Sequence, residues 1–485
     1  MVRLPQRDYT YFTTVRGMCR TCRRIVPARV FFRAGSVWQE SLCETCENTP
    51  VLIASDKERY LREVLKVRPD RSPLDFAAPP RRGCPHDCGP CTWHANNCQL
   101  PVISITNECN LNCPICFTYN RPDRIYHMPP DEMARTVDWI IESSGSVDLI
   151  NITGGEPTLH PQLLEILQCC RRDEIGRITM NSNGLRLAAD SDLCEQLAEL
   201  DVCVILSFNT FDSDISAQLH GRDLVDVKLK AIDNLTQAGV RMTLLNVMVR
   251  DTSEDSIAGI FDLMRQNDRI LSLTVQTMTY TGQGGGQWGP RKHLPVDEAV
   301  RIVCEQSDGM LRPDDFMPRP STHPLCYSLC YMIKADDAFL PFLRFAPPEK
   351  LSSLLNDSYL IRLGGDDSFF REAIDNLYAR GETENLAVFR KLVEDLYPAG
   401  RALSEFQRQG LAESAIRTVY IHSHMDEDTF DCSRAMLCGD LVPAETGKLI
   451  PACTYNMFYR QQDPRFYAED ILSDQENPDA SRGVS

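Results

Sequence analysis

The stretch TNECNLNCPICF, residues 106–117, places three cysteines in the spacing CxxxCxxC and is the most informative part of the chain for its fold. Cys109, Cys113 and Cys116 supply three thiolates, one fewer than the four corners of a four-iron cluster. A cluster held by three thiolates keeps one iron open to a small molecule, whereas four protein thiolates make an electron carrier. The spacing therefore predicts a reactive cluster.

A second motif, TGGEP at residues 153–157, follows the cysteines. Its glycines permit close backbone approach, and Glu156 offers a carboxylate, although the motif taken alone is also typical of an ordinary turn. The two motifs together resemble those of the radical S-adenosylmethionine (SAM) enzymes. The resemblance implies a catalytic 4Fe-4S cluster on the three cysteines and SAM as cofactor. It also implies that SAM binds at Gly154, Gly155, Glu156 and Pro157.

The composition excludes several classes of function. The 485 residues allow about three domains, and the net charge of −17, from 68 acidic and 51 basic residues, disfavours a nucleic-acid partner. No apolar run approaches the roughly 20 residues that span a bilayer, and the N-terminus lacks the apolar core of a signal peptide. The 21 cysteines then favour metal ligation over disulfides. These features predict a cytoplasmic protein, with peripheral contact to a membrane left open.

Two CxxC pairs near the N-terminus predict a mononuclear metal site. Cys19 and Cys22 form one pair, and Cys43 and Cys46 form the other. Four thiolates in paired CxxC hooks suit a tetrahedral zinc or a rubredoxin-like iron, and the sequence does not choose between them. The predicted module covers residues 1–70. A structural role and an electron-transfer role both remain open.

Residues 71–100 contain a further array, CxxxCxxCx6C, formed by Cys84, Cys88, Cys91 and Cys98. Four cysteines within one short segment can hold a 4Fe-4S cluster without other ligands. The first three repeat the catalytic spacing, but no glycine-rich carboxylate motif follows them. We therefore expect a fully ligated auxiliary cluster here.

Alternating strand and helix patterns run from residue 101 to 282. Six short apolar strands separated by helices predict an α/β fold with a parallel sheet, and six units match the partial (β/α)6 barrel of the radical SAM enzymes. Polar residues follow the strands at the carboxyl edge, where active sites collect. The resemblance assigns SAM contacts to these residues, and an aromatic role near adenine to Phe117. They are Asn181, Asn183, Ser207, Asn209, Arg250 and Gln276.

Residues 283–485 are expected to form an α+β domain that carries a second auxiliary cluster and binds the substrate. Five cysteines in three places are available, and we favour Cys326, Cys330, Cys438 and Cys453 as ligands, with Cys432 as a neighbour. The glycine-rich segment at 282–289 predicts a flexible loop. Apolar helical stretches at 338–362 and 384–404 are typical of core-facing helices, and a tunnel wall or a membrane contact is the alternative.

Over nearly its full length the chain resembles one branch of the radical SAM enzymes, the tetraether lipid synthases and their relatives, once described as pterin-methylating enzymes. The resemblance implies a 5′-deoxyadenosyl radical that takes hydrogen from lipid methyl groups, so that two hydrocarbon chains are joined by a carbon–carbon bond. It also implies a low-potential donor such as ferredoxin or flavodoxin. The alternatives are a radical SAM methyltransferase acting on a pterin-like heterocycle and a non-catalytic iron-sulfur electron carrier.

Overall fold

The computed structural model describes residues 7–67, 72–74, 76, 78–118, 125–335, 338–355, 358–361, 368–444 and 447–466. The expected boundary between residues 70 and 71 and the last 19 residues of the expected C-terminal domain lie outside these ranges. Within them, the strands form a small antiparallel sheet and a large, mostly parallel sheet.

The N-terminal module is a four-stranded antiparallel sheet in the order β1-β2-β3-β4. One CxxC pair directly follows β1 and the other follows β3. The two pairs lie close together in the folded module. One helix, α1, follows the sheet and begins at Asp56, whose side chain accepts hydrogen bonds from the backbone N–H groups of Glu58 and Arg59. The elements are β1 Thr10–Met18, β2 Ile25–Arg33, β3 Ser36–Ser41, β4 Val51–Ala54 and α1 Lys57–Val64.

Six consecutive parallel strands confirm the predicted parallel sheet. They are β5 Leu100–Thr106, β6 Ile150–Gly154, β7 Ile178–Ser182, β8 Cys203–Ser207, β9 Met242–Met248 and β10 Ile270–Thr277, and each pairs with the next. Strand residues alternate between an apolar outer face packed under the helices and an inner face that lines a cavity. The catalytic cysteines follow β5, and TGGEP ends β6.

Within the described residues, the strands of the C-terminal segments extend the same sheet at both edges. Strand β13 pairs in parallel with β10, β11 and β12 follow it, and β14 pairs with β5 on the other edge. The edges meet where the Tyr327 hydroxyl donates to the Asp440 carboxylate at 2.5 Å. The sheet therefore curves around its inner face. These strands are β11 Tyr327–Ala335, β12 Ala338–Pro341, β13 Ile416–His422, β14 Asp440–Pro443 and β15 Leu449–Pro451.

Helices cover the outer face of the sheet and bury the main apolar core. Helix α2 is representative, since Met133, Val137 and Ile140 recur at helical spacing and are buried. The helices after α1 are α2 Pro130–Ser144, α3 Leu163–Cys169, α4 Leu185–Ala189, α5 Ser191–Glu199, α6 Ser213–His220, α7 Val225–Gln237, α8 Ile257–Gln266, α9 Gly282–Gln287, α10 Val296–Glu305, α11 Pro348–Leu355, α12 Ser368–Arg380, α13 Thr383–Leu396, α14 Glu405–Ala415, α15 Cys432–Met436 and α16 Ala452–Thr454.

Helices α11 to α14 build a second apolar core beside β11. Leu386, Phe389, Leu392 and Leu396 are buried along one stripe of α13. Most of the apolar stretches at 338–362 and 384–404 therefore face a core, while Tyr359 and Leu360 reach the central cavity. Among the described residues, no helix combines the length and apolar character that crossing a membrane requires.

The glycine-rich segment at 282–289 corrects the expectation of a flexible loop, because Gly282–Gln287 form helix α9. A Cβ at position 282 would lie 2.4 Å from the backbone of Phe117, and one at 285 would lie 2.6 Å from the Tyr280 carbonyl oxygen. The Gly284 N–H donates to the Cys116 carbonyl at 2.8 Å. These glycines are needed because α9 packs directly on the catalytic cysteine loop.

Candidate active site

A cavity of about 2130 Å³, including the part open to solvent, lies inside the curved sheet. Cys109, Cys113 and Cys116 line it at the carboxyl end of the strands. At the other end it reaches Leu100 and Leu149, which stand at the amino ends of β5 and β6. The cavity therefore follows the strands over roughly 20 Å, the length of a strand of six or seven residues.

The two glycines of TGGEP bring that motif against the catalytic loop. A Cβ at Gly154 would lie 2.2 Å from the Thr106 carbonyl oxygen, and one at Gly155 would lie 2.0 Å from the Glu108 carbonyl oxygen. Gly154 also has φ +146°, a conformation that side chains rarely adopt. The Gly155 N–H donates to Thr106 and the Glu156 N–H donates to Glu108, each at 2.7 Å. The motif thus fixes the loop that carries Cys109.

Glu156 is buried at the wall of the cavity, and several donors surround its carboxylate. It accepts the Thr158 hydroxyl at 2.7 Å, the Ser182 hydroxyl at 2.9 Å and the Asn183 N–H at 2.7 Å. Burial raises the pKa of this carboxyl, while the hydrogen bonds oppose the shift. Glu156 therefore ties TGGEP to the end of β7 besides facing the cavity.

The three cysteines fit a site with one open iron. Among the described residues, no other cysteine lines the cavity. Burial raises the pKa of Cys109 to about 11 and that of Cys113 to about 12, so the thiolates that a cluster requires need the positive charge of the iron. The His220 Nδ1 lies 3.6 Å from the Cys113 sulfur, where the ring can orient this ligand.

Most of the predicted SAM contacts line the same cavity near the cysteines. They are Gly154, Gly155, Glu156, Asn181, Asn183, Ser207, Asn209, Gln276 and Phe117. Pro157 is buried at the start of the turn that follows TGGEP.

Arg250 is the exception, and its placement corrects our expectation. Its guanidinium forms an ion pair with Glu298 and donates to the His293 carbonyl at 3.1 Å, outside the residues that line the cavity. The chain turns away after β9, and the long side chain follows it to α10.

Sequence reasoning missed a buried lysine behind the site. Lys228 on α7 is 3% exposed, and its Nζ donates to the Ser207 carbonyl at 2.5 Å and to the Ser207 hydroxyl at 3.1 Å. Burial lowers the pKa of Lys228 to about 8, and Cys113 and Glu156 oppose the shift. A lysine placed among apolar positions of a helix is the signal that would have revealed it, since lysine is rarely fully buried.

The N-terminal cysteines form a compact tetrahedral site. Cys19, Cys22, Cys43 and Cys46 have ligand atoms within 4.8 Å of one another, and the sulfurs of Cys22 and Cys43 are 3.8 Å apart. A tetrahedron with metal–sulfur bonds of about 2.3 Å has sulfur–sulfur edges of about 3.8 Å. The Thr45 hydroxyl and N–H lower the pKa of Cys43 to about 6, which favours the thiolate. The four residues fit one zinc or iron ion.

The second cysteine group differs from the predicted one in its fourth member. Cys84 interacts with Cys88, Cys91 and Cys432, and the Cys432 thiol donates to the Cys84 carbonyl at 3.5 Å. Cys98 lies instead in the main core, where the N–H groups of Leu100 and Leu441 approach its sulfur. Helix α15 brings Cys432 to the group from 348 residues away.

The third group consists of Cys326, Cys438 and Cys453, whose thiols interact with one another. The Arg434 Nε donates to the Cys326 sulfur at 3.4 Å. Cys330 corrects our expectation, because it is buried in the main core beside Cys304. Cys330 lies within the extended strand β11, so its Cα stands about 13 Å from that of Cys326.

A row of aromatic rings joins the catalytic loop to the third group along the cavity wall. The Phe117 ring stacks on His424 at 5.1 Å, His424 contacts His422 at 4.9 Å, and His422 stacks on Tyr327 at 5.6 Å. All four side chains line the cavity. A molecule in the cavity would therefore contact both the catalytic loop and the wall of the third group.

One acidic group outside the cavity is an ion-pair network. The His293 Nε2 lies 3.0 Å from Asp426 and 3.7 Å from Asp428, and Arg291 pairs with Asp428 at 2.9 Å. Asp426 also accepts the Tyr280 N–H at 3.1 Å. His293 and Arg291 supply the positive charge of this network. Its ion pairs and the hydrogen bond from Tyr280 connect the segment after β10 to the segment after β13.

Comparison with known proteins gives one family match and several relatives, one of which aligns over most of the chain. The model of the radical SAM superfamily matches residues 103–264. A 7,8-dihydro-6-hydroxymethylpterin dimethyltransferase of Methanocaldococcus jannaschii is 23% identical, over 92% of this chain and 94% of its own. A probable GTP 3′,8-cyclase of Thermoplasma volcanium is 30% identical, over 42% of this chain and 62% of its own. Streptococcus suis SuiB bound to SAM aligns over 44% of this chain and 47% of its own, with TM-score 0.38 and 23% identity.

The superfamily match over residues 103–264 and the site geometry support a radical SAM enzyme, built on an α/β fold with a parallel sheet. SAM and a 4Fe-4S cluster are accordingly its cofactors, which confirms the prediction from the cysteine spacing. The remaining cysteine groups, with the N-terminal four-thiol site among them, fit additional metal centres.

Proposed function

We propose that this radical SAM enzyme joins two hydrocarbon chains by a carbon–carbon bond between their terminal methyl carbons. The observation that carries the proposal is the length of the cavity, which continues from the three cysteines to Leu100 and Leu149 at the far strand ends. By the measure used for ligand pockets its volume is about 370 Å³, which lies within their usual range of about 300–1,000 Å³. Its length and apolar lining, and not its volume, therefore favour an extended chain.

The residues around the cysteines have separable roles in this proposal. Cys109, Cys113 and Cys116 would hold the cluster, which with bound SAM would supply a 5′-deoxyadenosyl radical that takes hydrogen from an unactivated carbon. Joining two methyl carbons removes one hydrogen from each, so each coupling would consume two SAM molecules and two electrons from the reductant and release two methionines and two 5′-deoxyadenosines. Gly154 and Gly155 let TGGEP pack against the cysteine loop, and both line the cavity where SAM would bind. The α9 helix packs on the loop from the other side, which limits the access of water to a radical.

Apolar side chains continue along the cavity beyond the SAM region. Val102, Ile205, Leu245, Leu360 and Val442 line it together with the leucines at the far end. Such a lining suits methylene groups, which gain about 0.8 kcal/mol each on leaving water. The hydrophobic contact would position a chain terminus at the catalytic end.

A second candidate is methyl transfer to a pterin-like heterocycle. It is favoured by the name of the M. jannaschii relative, which aligns along nearly the whole chain. It is also favoured by polar groups inside the cavity, because Asn151, Thr179, Thr243 and Ser272 line its middle part. A heterocycle could hydrogen-bond to such groups. The Thr179 hydroxyl already donates to the Ile150 carbonyl at 3.0 Å, and the Thr243 and Ser272 hydroxyls are bonded to each other at 2.7 Å, so a hydrocarbon would leave these hydroxyls paired within the protein.

The test uses anaerobically reconstituted enzyme with SAM, a reductant and either dialkyl glycerol lipid or a hydroxymethylpterin. Lipid labelled with deuterium at its terminal methyl groups is expected to give coupled product by mass spectrometry and deuterium in 5′-deoxyadenosine. Replacing Leu149 by Trp should block coupling by filling the far end, and the exposed Leu411→Trp is the matched control. Methylated pterin formed without any coupled lipid would reject the proposal in favour of the second candidate.

A further inference from the structure

Arg460 is a buried cation with two donor nitrogens that bind no described residue. Its side chain is 4% exposed, and its Nε and Nη2 atoms are shielded from solvent without a hydrogen-bond partner among the described residues. These two nitrogens lie on one edge of the guanidinium, which is the edge that binds both oxygens of a carboxylate or phosphate. Burial of a charged guanidinium without a partner among the described residues destabilises the folded protein.

Among the residues that the structure describes, none is recorded as pairing a negative charge with Arg460. Asp463 is the acidic residue closest to it in the chain, and Asp463 already binds the Tyr455 hydroxyl at 2.6 Å and the Arg465 guanidinium at 2.7 Å. The Arg460 guanidinium carbon lies 4.6 Å from the centre of the Phe466 ring. That contact holds one face of the cation and leaves its donor edge for another group.

The same side chain lines the central cavity. Ala452, Asn456 and Arg460 recur every four residues along the helical segment that follows β15, and all three line the cavity. One face of this segment is therefore directed inward. The Asn456 amide adds a polar group one turn before Arg460, so an anion could contact both side chains.

We propose that Arg460 binds an oxyanion of the substrate, a carboxylate or a phosphate. The site lies at the wall of the cavity formed by β14 and by the helical segment that follows β15. The inference rests on the proposed function, since it assigns an anionic head group to the lipid. Arg460 then sets specificity: a chain with a charged head would be held there while its apolar tail follows the cavity. The guanidinium also acquires a counter-ion, which no described residue supplies to it.

The experiment measures equilibrium binding to the oxidised, iron-loaded enzyme with SAM and no reductant, so that no turnover occurs. The probes are a long-chain alkyl phosphate, the fatty carboxylate of equal length and the matching alcohol, each below its micelle-forming concentration. The variants are R460A, R460K and the control R135A. R460K keeps the positive charge but loses the paired N–H donors of the guanidinium. Arg135 is exposed on α2 and pairs with Asp131.

R460A should bind one or both anions at least about tenfold more weakly, with R460K intermediate and the alcohol bound equally by all four proteins. The stronger anion identifies the head group. Without ligand, R460A should melt at or above the temperature of the wild type, because it removes an unpaired buried charge.

Equal anion binding by R460A and wild type would overturn the proposal. So would a loss of SAM affinity in R460A, which would assign the guanidinium to the SAM carboxylate, or a lower melting temperature together with lost iron, which would assign it to the protein core. A wild type that couples no lipid but binds the anion through Arg460 would reject the proposed function and keep this site.

Discussion

The Nδ1 atom of His424 lies 3.4 Å from the sulfur of Cys453, and the same imidazole stacks on Phe117. Phe117 directly follows the catalytic Cys116, whereas Cys453 belongs to the third cysteine group. One side chain therefore touches both the catalytic loop and the group with Cys326 and Cys438. Burial lowers the pKa of His424 to about 4, so the ring is neutral and carries one N–H.

The contact predicts that His424 tunes the potential of a cluster bound by the third group. A hydrogen bond to a thiolate stabilises the reduced, more negative cluster, so H424A should lower its midpoint potential by on the order of 50 mV, equivalent to about 1 kcal/mol. Redox titration followed by electron paramagnetic resonance measures the shift. H424Q keeps an N–H donor and should restore most of the potential. An unchanged potential in H424A would show that the imidazole does not donate to Cys453.

The close approach of TGGEP to the catalytic loop predicts a severe effect of one methyl group. In G155A the new Cβ would overlap the Glu108 carbonyl oxygen at 2.0 Å, so the loop must move. We expect about 1–3 kcal/mol lower stability and at least a hundredfold less 5′-deoxyadenosine formed from SAM. The matched control is G410A on α14, where a Cβ meets nothing within 4 Å and helix propensity should add up to about 1 kcal/mol. Near-normal SAM cleavage by G155A would contradict this account of the motif.

The sequence was sufficient for features that depend on local spacing. The strand pattern predicted the parallel sheet, and CxxxCxxC with TGGEP predicted one end of the cavity, because these motifs follow adjacent strands and parallel strands end at a shared edge. The glycine-rich segment at 282–289 shows the limit of local rules. Glycine favours loops in isolation, but here it allows α9 to approach the backbone of Phe117.

Features that depend on distant parts of the chain could not be predicted in the same way. The choice of Cys432 over Cys98 beside Cys84 depends on where α15 packs, and nothing in the spacing of residues 84–98 records that contact. Lys228 and Arg250 show the same limit: one lysine is drawn inward to Ser207, and one arginine turns outward to Glu298. A polar residue at a strand end is only a candidate site residue in the sequence, because the direction of its side chain depends on the packing of distant elements.

The cysteine grouping predicts different outcomes for two buried cysteines in the C-terminal part. C432A should lose about four iron atoms per chain, because it removes a ligand beside Cys84, Cys88 and Cys91. C330A should keep the full iron content, because Cys330 packs in the apolar core beside Cys304. Iron analysis and the absorbance of the reconstituted proteins measure both. The reverse result would restore Cys330 as a ligand and exclude Cys432.

The ion pair of His293 with Asp426 predicts that stability depends on pH. Burial lowers the pKa of His293, but Asp426 and Asp428 outweigh it and raise the pKa above the ordinary value of about 6.5. A group with a raised folded pKa stabilises fully below its unfolded pKa and loses that contribution as pH rises through the folded value. The free energy of unfolding should therefore fall as the pH rises from about 6.5 through the raised pKa of folded His293, by about 1.4 kcal/mol for each unit of pKa elevation.

Denaturant unfolding of the iron-loaded protein under anaerobic conditions checks this prediction at several pH values. H293Q keeps a side-chain donor near Asp426 but cannot gain a proton, so its stability should be lower at about pH 6 and should converge toward the wild type at about pH 9. H127Q is the control, since His127 is a partly exposed histidine beside Glu108 at 3.3 Å. Equal pH dependence in H293Q and wild type would show that Asp426 and Asp428 are balanced by Arg291 alone.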